Sequence, residues 1–154
     1  MSTIFKIDGE EGTRRLGFAL AKHAQSGDMF CLSGPLGSGK STLARGFLRA
    51  LGLKDEAPSP TFALVNEYSN LKLPVYHLDL YRVEKKDIPG LGLEDYFHDK
   101  RAACLLEWPE VAAELLPSDR LEVEISHAGK FSRNFRIKAL GPRAGRLLQG
   151  LKFP

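Results

Sequence analysis

The residues with the clearest chemistry are Gly34-Pro35-Leu36-Gly37-Ser38-Gly39-Lys40-Ser41, which satisfy G-x-x-x-x-G-K-[ST] at every fixed position. Glycines at these spacings let the backbone curl with its N–H groups inward, and a helix N-terminus behind them adds partial positive charge for an anion. Gly34, Leu36, Gly37, Ser38, Gly39, Lys40, Ser41 and Thr42 are therefore the expected nucleotide-binding set. Lys40 is placed to reach β- and γ-phosphates, and the Ser41 hydroxyl to ligate Mg²⁺. Such a loop also needs a carboxylate at the end of a neighbouring apolar strand. Two segments offer one: Ala102-Ala103-Cys104-Leu105-Leu106-Glu107 and Val75-Tyr76-His77-Leu78-Asp79.

Elements on both sides must position these groups. Met29 to Ser33 reads as a short apolar strand entering the loop, and Lys40 to Leu51 as a helix closed by Gly52. Earlier come a strand at Ile4 to Ile7 and a helix near Thr13 to Gln25. Later strands are expected at Ala63 to Tyr68, Val75 to Leu80 and Ala102 to Leu106, with short helices at Leu93 to Phe97 and Glu110 to Leu115. Pro58-Ser59-Pro60 enforces extended backbone between them. Alternating strand and helix signals predict an α/β domain. Further on, Leu121, Val123 and Ile125 alternate with glutamates while Phe135 and Ile137 alternate with basic residues, the signature of an antiparallel hairpin over about 119–140. Setting Ile125 opposite Phe135 puts Glu124 opposite Arg136 and Glu122 opposite Lys138.

The 154 residues fit one domain, residues 1–154, with a nucleotide-binding core over about 28–117. At 43% hydrophobic and 27% charged the composition excludes disorder as the main state. Neither an export signal nor an apolar run of about 18 residues is present, so a cytoplasmic protein without membrane attachment is expected. Cys31 and Cys104 lie in apolar runs and read as buried thiols, and the four scattered histidines do not suggest zinc. Net charge is +3, but the chain from Ile125 onward carries seven basic residues and no acid. Glu122 and Glu124 neutralise part of that excess across the hairpin, so a charged, solvated sheet face is the expected reading and an RNA-binding surface the alternative.

Together the loop, Ser59-Pro60-Thr61-Phe62, Tyr76-His77-Leu78-Asp79-Leu80-Tyr81-Arg82, Leu91-Gly92-Leu93-Glu94-Asp95-Tyr96 and Glu107-Trp108-Pro109 resemble the TsaE (YjeE) family in order and spacing. The resemblance covers roughly Phe30 to Pro117. It implies a bacterial P-loop ATPase needed to form N6-threonylcarbamoyladenosine at position 37 of tRNAs reading ANN codons. It further implies a mixed, mostly parallel sheet flanked by helices, with the antiparallel hairpin added. Lys40 becomes the phosphate lysine and Ser41 a Mg²⁺ ligand, while Glu107 becomes a metal-shell or water-orienting acid. Thr61 becomes a switch-like residue near the γ-phosphate, Asp79 a metal-shell or water-positioning acid, and Trp108 a mobile aromatic beside the site. The implied partners are the TsaD and TsaB subunits, whose heterodimer the protein binds and resets by hydrolysis, with tRNA reached only through that complex. Activity alone is expected to be weak and partner-stimulated, and Arg82 either acts in cis or pairs with an acid.

Three positions depart from the family pattern: Pro35 where Asp is often found, Ser41 where Thr is common and Leu78 where Phe is common. The serine keeps the hydroxyl; Pro35 removes an acid beside the phosphates. Rival readings are a small-metabolite P-loop kinase, which lacks here a compact arginine-bearing lid after Pro109, and a noncatalytic RNA-binding module resting on Arg143 and Arg146. A GTPase is disfavoured because Glu84-Lys85-Lys86-Asp87 lacks the Asn of a guanine reader.

Overall fold

A computed structural model describes residues 1–55, 58–61 and 63–153. Seven strands form one sheet: β1 (Ser2–Asp8), β2 (Met29–Ser33), β3 (Val65–Tyr68), β4 (Val75–Asp79), β5 (Ala103–Glu107), β6 (Arg120–His127) and β7 (Ser132–Leu140). Their spatial order is β1-β7-β6-β2-β5-β4-β3. The four central strands β6, β2, β5 and β4 run parallel, and β1, β7 and β3 add antiparallel at the two sides. The expected mixed α/β architecture is therefore present.

The β6–β7 hairpin has the register that its alternation implies: Val123 faces Ile137, Ile125 faces Phe135, Glu122 faces Lys138 and Glu124 faces Arg136. Its place is more integral than an appended ribbon. β6 pairs in parallel with β2, the strand leading into the phosphate-binding loop, so the hairpin bridges that strand to β1.

Helices α1 (Gly9–Lys22), α2 (Lys40–Ala50) and α4 (Pro142–Gly150) pack on one face of the sheet. There Leu16, Leu20, Leu43, Phe47 and Leu147 meet Phe30, Leu32, Leu105, Val123, Ile125, Phe135 and Ile137. On the other face α3 (Leu93–Phe97) and the 3-10 segments Lys85–Gly90 and Pro109–Leu115 cover Cys31, Leu78, Cys104 and Leu106. Both thiols are free and buried; burial pushes the Cys31 thiol up to about 12, as expected of inert core cysteines.

The first helix, expected near Thr13 to Gln25, runs instead from Gly9 to Lys22, and three further segments differ from the sequence reading. The strand expected from Ala63 starts at Val65 because Leu64 sits at φ 70°, its N–H turned back onto the Pro60 carbonyl at 2.7 Å. The helix expected over Glu110 to Leu115 is a 3-10 segment broken at Ala112 (φ −113°, ψ 23°). The basic C-terminal stretch contains α4, whose Ala144, Leu147 and Leu148 are buried. Asp119 caps it, accepting from the backbone N–H of Arg143 at 2.9 Å and of Ala144 at 2.8 Å. Arg143 is bidentate to Asp28 at 2.9 and 2.8 Å and also donates to the His23 carbonyl. One of the two arginines on which the RNA-binding alternative rested is thus a pin between α4 and the start of β2.

α1 and α2 cross with their backbones almost touching, through two glycines. A Cβ at Gly46 falls 2.1 Å from the Arg14 carbonyl oxygen, and one at Gly17 2.1 Å from that of Leu43. Since these are backbone atoms, relief requires the helices to separate. Gly46→Ala is expected to cost about 1–3 kcal/mol, lowering the melting temperature by roughly 3–10 °C in a thermal-unfolding measurement, despite alanine's better helix propensity.

Candidate nucleotide-binding site

The loop between β2 and α2 follows from its glycines. At Gly34 (φ 148°) a Cβ would lie 2.7 Å from the Ile125 carbonyl oxygen, so only glycine fits against β6. Gly39 (φ 114°) occupies the left-handed region where α2 begins. Behind the loop, the pleat puts His77 and Asp79 of β4 on the same sheet face as Leu105 and Glu107 of β5, with Asp79 directly opposite Glu107. Both acids therefore emerge at the carboxyl ends of parallel strands, next to the start of α2.

Each expected side chain is held by named contacts. The buried Lys40 Nζ donates to the Gly34 carbonyl at 2.6 Å and the Pro35 carbonyl at 2.9 Å, and lies 4.1 Å from the centre of the Trp108 ring. Burial lowers its pKa, and the charges of Glu107, Glu110 and Asp79 oppose that shift. Ser41 Oγ donates to Glu107 Oε1 at 2.9 Å. Thr61 Oγ1 donates to Asp79 Oδ2 at 2.6 Å, with Ser59 beside both and the Tyr81 N–H on Oδ1 at 2.9 Å. Trp108 has a left-handed backbone (φ 59°, ψ 57°), unusual for a bulky residue before a proline, and its ring lies 5.0 Å from that of Tyr81.

These groups share one cleft of about 510 Å³, lined by Leu36, Gly37, Ser38, Gly39, Lys40, Ser41, Thr42, Thr61, Asp79, Glu107 and Trp108. All but one of the residues expected at the site meet there; Gly34 lies at the loop's base. Phe62, the last residue of the Ser59 to Phe62 motif, lies outside the described residues. Arg82 is exposed and outside the lining. The sequence reading missed a second wall: Gly9, Glu10 and Thr13 at the start of α1, Lys130 and Phe131 from the β6–β7 turn, and Arg133 at the start of β7. The Gly9 N–H joins them by donating to the Phe131 carbonyl at 2.8 Å. One signal was present, an aromatic between basic residues in a hairpin turn, and Phe131 is indeed 72% exposed.

For a divalent cation the donor set is Ser41 hydroxyl, Glu107 carboxylate and Asp79 carboxylate, hard oxygens of the type Mg²⁺ takes. No group of three or more His, Cys, Asp and Glu among the described residues cages an ion by itself. Mg²⁺ usually takes one or two protein carboxylates and completes its shell with water and phosphate oxygens, so these residues fit it.

Fold and site together define a phosphate-binding-loop α/β domain of the nucleotide-binding class. The family model described as threonylcarbamoyl adenosine biosynthesis protein TsaE matches residues 7–135, and the chain belongs to that family. It is 39% identical to the Bacillus subtilis tRNA threonylcarbamoyladenosine biosynthesis protein TsaE over 92% of this chain and 88% of that one. The Nostoc protein of the same name is 36% identical over 89% and 85%. The crystal structure of Bacillus subtilis YdiB superposes with a TM-score of 0.87 at 34% identity, covering 98% of this chain and 94% of that one. Among the described residues no helix is long and apolar enough to cross a membrane.

The contact between Lys40 and the single tryptophan gives an optical handle. ADP is expected to change Trp108 emission, because a phosphate drawing Nζ away removes a cation from the ring face. Lys40→Ala should alter the emission of the nucleotide-free protein in the same assay. Unchanged spectra in both cases would place the lysine away from the ring.

Proposed function

We propose that this protein binds and hydrolyses ATP, and that it does so as a component of the machinery forming N6-threonylcarbamoyladenosine at position 37 of tRNAs reading ANN codons. The observation carrying this reading is the convergence of Lys40, Ser41, Glu107, Asp79 and Thr61 on one cleft at a phosphate-binding loop. Membership of a family named for this modification supports the biological setting.

The loop amides and the α2 N-terminus receive the phosphates. Lys40 exchanges the carbonyls of Gly34 and Pro35 for phosphate oxygens, which its flexible stem allows. Ser41 and Glu107 are the residues that would hold Mg²⁺, which would supply charge neutralisation for the phosphates. Asp79, braced by Thr61 and the Tyr81 N–H, orients the attacking water; Thr61 reports the γ-phosphate to the segment that carries it. Thr13 and Phe131 flank the remaining volume, where the nucleoside fits, and Trp108 covers the phosphate side.

The lining includes a single arginine among the described residues, Arg133, at the start of β7 rather than on an arginine-rich lid of the kind small-metabolite kinases use. Partners therefore complete the cycle: the TsaD and TsaB heterodimer binds the protein, raises its turnover and is reset by hydrolysis, with tRNA engaged through that assembly. A charge-stabilising group supplied in trans is worth about 10³–10⁵ in rate in other phosphate-loop enzymes.

Steady-state ATPase assays with and without the heterodimer test this. Lys40→Ala is expected to lose measurable nucleotide binding. Glu107→Gln and Asp79→Asn should keep the fold by circular dichroism and lose about 10²-fold or more in turnover. Full turnover in Glu107→Gln would remove that acid from the chemistry, and phosphorylation of a small metabolite in place of hydrolysis would overturn the assignment.

A further inference from the structure

Glu107 is only 1% exposed, and an ion so placed is costly unless donors reach its oxygens. Oε1 has the Ser41 hydroxyl. Oε2 lies 2.7 Å from Nε2 of His77, which is equally buried. In the β4–β5 register His77 faces Leu105, two residues before the Asp79–Glu107 pair and on the same face, so the imidazole supports the carboxylate from within the domain. His77 is absent from the cleft lining. Its other ring nitrogen, Nδ1, is buried without a partner among the described residues. A proton on Nδ1 would be a stranded donor, whereas one on Nε2 has Glu107 Oε2 as its acceptor.

We propose that His77 is the positioning residue of this site: its Nε2–H fixes Oε2 so that Oε1 stays aimed at Ser41 and the metal shell, and stops Glu107 turning toward Lys40. This rests on the reading of Glu107 as the metal-shell acid. Both groups line the same cleft, and the charge of Glu107 works against the burial that lowers the Lys40 pKa, so the two attract each other. A carboxylate freed on one side would draw the ammonium toward itself and away from the phosphates. The imidazole thus keeps two opposite charges in one small space assigned to different tasks. Outer-shell partners of this kind typically change metal affinity or activity by about 10–100-fold when removed.

The test compares His77→Leu, which keeps bulk without a donor, with His77→Gln, which returns an N–H at similar reach. His77→Leu is expected to lower kcat about 10–100-fold, and to raise by about 10-fold or more the Mg²⁺ concentration that half-saturates the ADP complex in titration calorimetry. ADP affinity without Mg²⁺ should stay within about threefold, and His77→Gln should recover most of both losses. In ¹⁵N spectra of the wild-type protein the His77 proton should sit on Nε2. Turnover and Mg²⁺ dependence unchanged in His77→Leu, no rescue by His77→Gln, or a proton on Nδ1 would each overturn the proposal. If His77→Leu is unfolded by circular dichroism, the Mg²⁺ titration of His77→Gln and the ring tautomer decide it. Glu107→Gln separates the two levels: wild-type turnover there sinks the parent reading, whereas a crippled Glu107→Gln beside an intact His77→Leu sinks only the positioning role.

Discussion

Three charges that water would ordinarily solvate, on Lys40, Asp79 and Glu107, are buried together at the carboxyl edge of parallel strands. Burial of this kind is tolerable only when each charge has donors or acceptors at close range. The fold meets that demand by geometry. Loop carbonyls and the Trp108 face take the ammonium; Ser41 and His77 take one carboxylate, and Thr61, Ser59 and the Tyr81 N–H take the other. The partners come from several separate segments, so the parallel register, the position of α2 and the turn before β3 are all constrained by the same few charges.

The opposite requirement, a dry and tightly packed interior, is met behind the site. The glycine-lined crossing of α1 and α2 lets two helices share a narrow strip of sheet. That closeness brings the start of α1 against the phosphate loop: a Cβ at Gly39 would touch the Thr13 methyl at 3.5 Å. Packing and ligand geometry are coupled there, because separating the helices also moves one wall of the cleft.

Much of this was legible in the residues. The phosphate loop has fixed spacing, Glu107 and Asp79 end apolar runs, and the hairpin's alternation set its register residue by residue. What escaped were arrangements that depend on distant partners. α4 carries an apolar stripe at Ala144, Leu147 and Leu148, yet Arg143, Arg146 and two glycines made the segment read as a charged tail; Asp28 and Asp119 fix it from far away in sequence. Phe131 and Thr13 join the cleft only because β1 pairs with β7. His77 was visible in its motif, but the role argued for it depends on which face of β4 it occupies and on what stands diagonally across on β5.

The β1–β7 pairing joins segments far apart in sequence, with Ser2 opposite Lys138 and Asp8 opposite Ser132. Local elements such as α2 and its loop can form early, whereas a ladder between residues so far apart must wait for a large entropic closure. On a ribosome, a nascent chain that has exposed the phosphate loop still lacks the wall carrying Phe131. The cleft's loop is therefore made before the side closed by Phe131, which arrives only with the β6–β7 turn.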